Sequence, residues 1–147
     1  MKILIQRVTQ ASVTITQHVT AEIGTGIVAF VGIKEGDIAA QAVTLAHKTA
    51  CLRIFPDEQD RMNRSLLDIE GEALVISQFT LYADTRKGHR PSFVQAANPA
   101  HAEFLYDTYV AELTKILLPG KIRTGRFRAS MQVALINDGP VTITISA

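Results

Sequence analysis

GEALVISQFTLYADTRKGHRPSF, residues 71–93, holds the most strand-like run of the chain together with its most unusual polar interruption. Gly71 precedes an apolar run, Ala73 to Ile76, and after Ser77 and Gln78 come Phe79, Thr80, Leu81 and Tyr82. β-Branched and aromatic content bounded by Gly71 and by the Asp84–Gly88 loop predicts a strand running as far as Tyr82. Uncharged polar side chains inside a strand that is otherwise apolar are costly to bury unless hydroxyl and amide groups find partners. Ser77, Gln78 and Thr80 are therefore candidate site residues. Arg86, Lys87, His89 and Arg90 in the loop behind them suit an anion.

The rest of the chain bounds what that site belongs to. At 147 residues and 47% hydrophobic, the sequence suffices for one well-packed domain, and no low-complexity stretch suggests a linker. No window approaches the roughly 18–20 continuous apolar residues that a membrane-spanning helix needs, and MKILIQRVTQ turns polar too soon for a signal peptide. A cytoplasmic protein is expected. Cys51 is the single cysteine, which fits a reducing compartment. A net charge of +1 excludes a globally basic nucleic-acid coat, so any RNA contact must be local.

In chain order, Met1–Val8 and Ser12–Thr16 alternate in hydropathy and read as two paired strands joined at Thr9–Ala11. Ile27–Ile33, bounded by Gly24, Gly26 and Gly36, reads as a strand buried on both faces. Asp37 is an N-cap type ahead of a helix over about Ile38–Ala50. His47 and Cys51 lie one turn apart, but without a second cluster they make no metal site, and Cys51 reads as a small core residue. Leu52–Phe55 returns to strand and Pro56–Asn63 is a charged loop. Asn98 and Pro99 open a second helix to about Leu118, with Phe104, Leu105, Tyr109, Leu113, Ile116 and Leu117 as its apolar face. Lys121–Phe127, Met131–Ile136 and Val141–Ile145 read as strands, with Asn137–Pro140 a turn by composition. The count is about seven to eight strands and two main helices, not in βαβ alternation. The expected fold is mixed α/β and β-rich, a curved sheet or barrel covered by the helices.

Two motifs carry a resemblance. Ser77-Gln78-Phe79-Thr80-Leu81 and Asn137-Asp138-Gly139-Pro140-Val141-Thr142 resemble the paired signatures of the D-aminoacyl-tRNA deacylase family. QRV at 6–8, ASV at 11–13, LRIFPD at 52–57, MNRSLLD at 62–68 and YADTRKGHRPSF at 82–93 resemble it in order and spacing. The resemblance implies an enzyme that hydrolyses the ester joining a D-amino acid, or sometimes glycine, to the 3′ end of tRNA, with no cofactor or metal. It implies a homodimer with active sites at the interface, acting on neither DNA nor membranes. Gly139-Pro140, with a cis peptide, is implied to reach the partner's pocket and exclude L side chains, facing a wall of Ser77, Gln78, Phe79 and Thr80. It also implies that the 2′-hydroxyl of the terminal adenosine helps to activate water.

The residues themselves agree. An aminoacyl ester is already activated, so hydrolysis needs positioning and an oxyanion stabiliser more than a strong nucleophile. Gly139 permits close backbone approach and X-Pro is the bond for which cis costs least, although the same residues suit an ordinary turn. Thr80 is either a nucleophile, for which it needs a base such as His89, or a residue that shapes the pocket with Gln78. Phe127, Ala129, Met131, Asn137 and Thr142 complete the candidate substrate contacts, with Phe127 either stacking on adenine or packed in the core. Arg128 departs from the family's Gly-x-Phe-Gly-Ala-x-Met pattern, standing where a glycine is usual. Arg7, Arg86, Lys87 and Arg90 are the candidate tRNA contacts, joined by Arg126 and Arg128, and so few contacts predict a shallow salt dependence. Two rivals remain: a non-catalytic RNA-binding or editing-accessory module of the same fold, which also occurs as a proofreading domain attached to an archaeal synthetase, and a hydrolase of small D-amino-acid esters.

Overall fold

The computed structural model describes residues 1–147, the side chain of Val19 excepted. Its longest strands are β1 (Lys2–Ile15) and, at the other end of the chain, β8 (Gln132–Ser146). Between them lie β2 (His18–Ile23), β3 (Gly26–Gly32), α1 (Ala39–Cys51), β4 (Phe55–Pro56), β5 (Met62–Arg64), β6 (Glu72–Ser77), α2 (Pro99–Ile116) and β7 (Ile122–Thr124). The main sheet has the order β2-β1-β3-β6-β7, with β8 also on β1. β1 binds β3 with its first half and β2 with its second, while β8 runs antiparallel along both halves. The result is a curved, nearly closed sheet.

β3 runs parallel to β6, and β6 parallel to β7, so their carboxyl ends open on one side. As the hydrophobic run predicts, β3 is buried on both faces. Ile27, Ala29 and Val31 join Leu45 and Ala46 of α1 and Leu105, Tyr109 and Leu113 of α2 in the larger core. Val28, with Leu74 and Ile76 of β6, faces a second cluster inside the curved sheet. Tyr109 is fully buried and donates its hydroxyl hydrogen to Thr49 Oγ1 at 2.9 Å, which satisfies a group that burial would otherwise penalise. No helix is long and apolar enough to cross a membrane.

Several expectations are corrected. Thr9–Ala11 is not a junction, because β1 continues through it, bending where its register with β8 shifts. Likewise Asn137–Pro140 does not turn the chain back. Gln6 pairs with Thr142 and Val8 with Asn137, so residues 138–141 bulge out opposite Arg7 within one strand direction. The strand expected to reach Tyr82 stops at Ser77, and Phe79–Tyr82 is a 3₁₀ turn. Asp37 is not the cap of α1. Its carboxylate lies 2.6 Å from the Met1 ammonium and accepts the Lys34 N–H, leaving Ile38 at the cap position with its N–H donated to Gln41 Oε1. Cys51 is exposed rather than core, and Phe104 is 59% exposed rather than on the buried face of α2. Asn98 does cap α2, accepting the His101 N–H.

Candidate active site

A cleft of about 550 Å³ opens at the carboxyl ends of β3 and β6, the place where parallel strands commonly present ligand sites. Val31 and Ile33 form its floor, Ser77, Gln78 and Phe79 one wall, Phe93 and Ala97 the rim, and Phe127, Ala129 and Met131 the opposite wall. The last ladder bond of β6 is donated by the Gln78 N–H to Val31 O at 2.8 Å. The chain then tightens into the 3₁₀ turn, and Gly32 makes room for it. A Cβ on Gly32 would stand 2.9 Å from Leu81 Cβ.

That turn leaves the N–H groups of Phe79 and Thr80 without a backbone acceptor among the described residues. Gln78 Nε2 donates to Thr80 Oγ1. Thr80 Oγ1 has no hydrogen bond to His89 or to any carboxylate among the described residues, so nothing there activates it as a nucleophile. Phe79 is 55% exposed and meets Phe93 edge to face, centroids 5.0 Å apart. Phe127 tilts against Tyr106 at 6.1 Å, one side in the core and the other on the cleft. Burial raises the Tyr106 phenol well above its ordinary value, and it donates to Val75 O. Among the described lining residues Arg128 is the only ionisable side chain. Acid–base work by a lining carboxylate or imidazole has no candidate.

The second motif lies elsewhere. Gly139-Pro140 is cis and exposed, and Asn137 Nδ2 donates to Val141 O and Thr142 Oγ1 across the bulge. Gln6 Nε2 donates to the same Thr142 hydroxyl. Asn137 pairs with Val8, which in turn pairs with Gly26 at the amino end of β3, so Gly139 lies toward the end of β3 opposite the cleft. Gly139 has φ +113, and a Cβ there would meet Arg7 Nη2 at 2.8 Å.

Arg7 is 9% exposed and turned to this bulge. Its Nη1 donates to Ile54 O at 2.6 Å, and its Nε lies 2.8 Å from Asp138 Oδ2, an ion pair without hydrogen-bond alignment. Of the other candidate cations, Arg86 is held by Asp84 through both carboxylate oxygens, at 2.9 and 2.6 Å. Hydrogen bonding from Arg86 lowers the Asp84 carboxyl to about 2. Lys87 and Arg90 are exposed at the tip of the loop that the Asp84–Ser92 bridge closes.

Of the wall expected from the sequence, Ser77, Gln78 and Phe79 line the cleft while Thr80 is exposed beside it, and the rim from Phe93 to Ala102, whose apolar loop residues carry no chemical signature, was not foreseen. The only usable signal for Val31 and Ile33 was their position at the end of a parallel strand.

The family described as D-Tyr-tRNA(Tyr) deacylase matches residues 4–146. A relative from Thermomicrobium roseum named D-aminoacyl-tRNA deacylase is 54% identical over 147 residues, covering 100% of this chain and 94% of that protein. A solved structure titled "c-Myc DNA Unwinding Element Binding Protein" superposes with a TM-score of 0.95 at 38% identity, covering 100% of this chain and 99% of that one. Another, titled "Structural Analysis of a probable eukaryotic D-amino acid tRNA deacylase", shares the fold, with a TM-score of 0.85 at 14% identity over 99% and 98% of the two chains. The class is therefore a hydrolase acting on ester bonds. The chain belongs to the D-Tyr-tRNA(Tyr) deacylase family.

Proposed function

We propose that the cleft between the 3₁₀ turn and Phe127 is where this deacylase hydrolyses the ester linking a D-amino acid to the 3′-terminal adenosine of tRNA. Water attacks the ester carbonyl carbon, and the negative charge that develops on the carbonyl oxygen is met by the free N–H groups of Phe79 and Thr80. Preorganised backbone donors without an acceptor of their own are an effective oxyanion stabiliser. The C–O bond to the ribose then breaks, and the ribose oxygen leaves with a proton, giving free D-amino acid and tRNA. With no lining base, the adjacent 2′-hydroxyl of the substrate carries the attacking water's proton. Ser77, Gln78 and Thr80 orient the aminoacyl group, and Phe127 takes the adenine on its cleft face. The observation that carries this reading is the conjunction of unpaired backbone donors with a cleft lacking ionisable side chains other than Arg128.

The working unit on this reading is a homodimer. Gly139-Pro140 lies toward the opposite end of β3 from its own chain's cleft, which supports a wall against L side chains supplied by a second copy. Asn137 and Thr142 support the wall, while Lys87 and Arg90 meet the acceptor end of the tRNA in the cytoplasm. Glycine has no side chain to exclude, so glycyl-tRNA enters as well.

The test is deacylation of matched D-tyrosyl-tRNA and L-tyrosyl-tRNA at low enzyme concentration. Loss of the D ester alone is expected. Loss of both would remove the steric filter from the proposal, and loss of neither would leave a non-catalytic RNA-binding module as the better reading.

A further inference from the structure

Behind the loop that walls the cleft lies a second depression, of about 650 Å³, that the reaction does not use. The two cavities share the wall formed by Phe127, Arg128, Ala129 and Met131. The far side of the second is the tip of the β1–β2 hairpin, with Thr14, Thr16 and Gln17. Both Arg126 and Arg128 line it, both are exposed, and neither has a hydrogen-bonded or ionic partner among the described residues. Arg128 also has φ +61, a left-handed backbone that a side chain larger than glycine adopts at a cost. Strain of this kind persists where the residue is over-determined by its surroundings, and it clusters where chains meet ligands.

We propose that this second depression binds the nucleotide preceding the terminal adenosine, with Arg126 and Arg128 holding the phosphate that joins the two. The inference rests on the cleft being the deacylation site. Phe127 separates the cavities by the width of one loop, so an adenine on its cleft face puts the 5′-phosphate of that nucleoside at the rim where Arg128 stands. A guanidinium matches a phosphate's paired oxygens, and two of them without acidic partners leave a local positive charge in a chain of net charge +1. The hydroxyl and amide groups of Thr14, Thr16 and Gln17 suit sugar and base edges. Arg126 and Arg128 are thus positioning residues, acting on substrate affinity and not on the chemical step.

The experiment compares two esters, D-tyrosyl-tRNA and D-tyrosyl-adenosine, which lacks any phosphate. It uses the full chain and the variants R126A and R128G, the second chosen because glycine suits φ +61. Each substitution is expected to cut the preference for the tRNA ester over the adenosine ester about tenfold, through KM, as loss of a charged hydrogen-bonding contact does. The salt dependence of tRNA binding falls by about 0.7 in log–log slope per arginine, the value for a single-stranded phosphate contact. Equal changes on both esters would show a structural effect and overturn the proposal. So would an unchanged preference, or a lower KM for tRNA in R128G, which would mark Arg128 as an obstruction. If the wild-type chain cleaves neither ester, the assignment of the reaction fails before the arginines are in question.

Discussion

Replacing Arg7 by methionine separates two roles for a cation that sequence alone places among the tRNA contacts. Methionine keeps much of the apolar stem and removes the guanidinium. In the structure that head group donates to Ile54 O at 2.6 Å from a side chain that is 11% exposed, and it pairs with an Asp138 side chain that is 43% exposed. The Asp138 pair is half in water and contributes about 0–1 kcal/mol. The larger loss is the buried Ile54 carbonyl, whose charged donor disappears while the acceptor stays in place, at about 1.5–3 kcal/mol. A total near 2–3 kcal/mol corresponds to a fall in Tm of roughly 5–10 °C for a chain of this size. Because Arg7 Nη2 also stands where a Gly139 side chain would be, its loss loosens the bulge that carries Gly139-Pro140. Discrimination between D- and L-tyrosyl-tRNA is therefore expected to fall along with Tm, while the salt slope of tRNA binding stays at its wild-type value. The assays are a thermal scan, paired deacylation rates and tRNA binding at several salt concentrations. A Tm within about 1 °C of wild type, together with a slope reduced by about 0.7, would restore Arg7 as a phosphate contact and refute the reasoning.

Three further outcomes are expected. Thr16 and Gln17 form the two-residue link of the β1–β2 hairpin with φ of 49° and 66°, where Asn-Gly is the favoured pair. Thr16→Asn with Gln17→Gly should therefore stabilise the chain by about 1 kcal/mol and raise Tm by about 2–4 °C, read by the same thermal scan. Asp84, held at about 2 by Arg86, contributes its ion pair at every pH above the ordinary carboxylate range and loses it only as pH falls through about 2. An NMR titration of its carboxyl should show that midpoint, and Arg86→Ala should move it up toward the ordinary value. Thr80→Ala leaves both free backbone donors in place, so kcat should fall by no more than about tenfold. A loss beyond about a thousandfold, with tRNA binding intact, would make the hydroxyl a nucleophile.

Legibility in the sequence followed the range of the interactions that decide each element. β3 and the start of α2 were readable because their signals are local: a bounded apolar run, and an Asn-Pro pair whose amide oxygen accepts the His101 N–H. Asp37 has the right side chain for a cap, yet the Met1 ammonium 36 residues away holds it. Phe79–Tyr82 has strand composition. Its conformation is decided by the end of the ladder at Val31 and by the space that Gly32 leaves for Leu81. Asn137–Pro140 has turn composition, and a bulge asks for the same residues as a turn. Only the pairing of Gln6 with Thr142 and Val8 with Asn137 distinguishes them. In the site, Ser77 and Gln78 stood out because they interrupt an apolar run, although the strand ends at Ser77, whereas Phe93, Ala97 and Val31 look like any other apolar residues.

The distance between the two motifs has a mechanistic consequence. Ser77–Thr80 sits where parallel strands end, on a frame of fully buried β3 and β6 residues that would lend its rigidity to the proposed oxyanion donors. Gly139-Pro140 instead projects from an exposed bulge, held from behind by Arg7 and across its base by Asn137. On the proposed reading, rate is set by one element and selectivity by another, which reaches the cleft from a second copy. Weakening the dimer should then erode the exclusion of L esters before it erodes hydrolysis of D esters. Dilution through the dissociation range, with both rates followed, is the direct measurement. A D:L ratio that stays constant as the dimer dissociates would require the filter to be built within one chain, from the Phe93 rim or Met131.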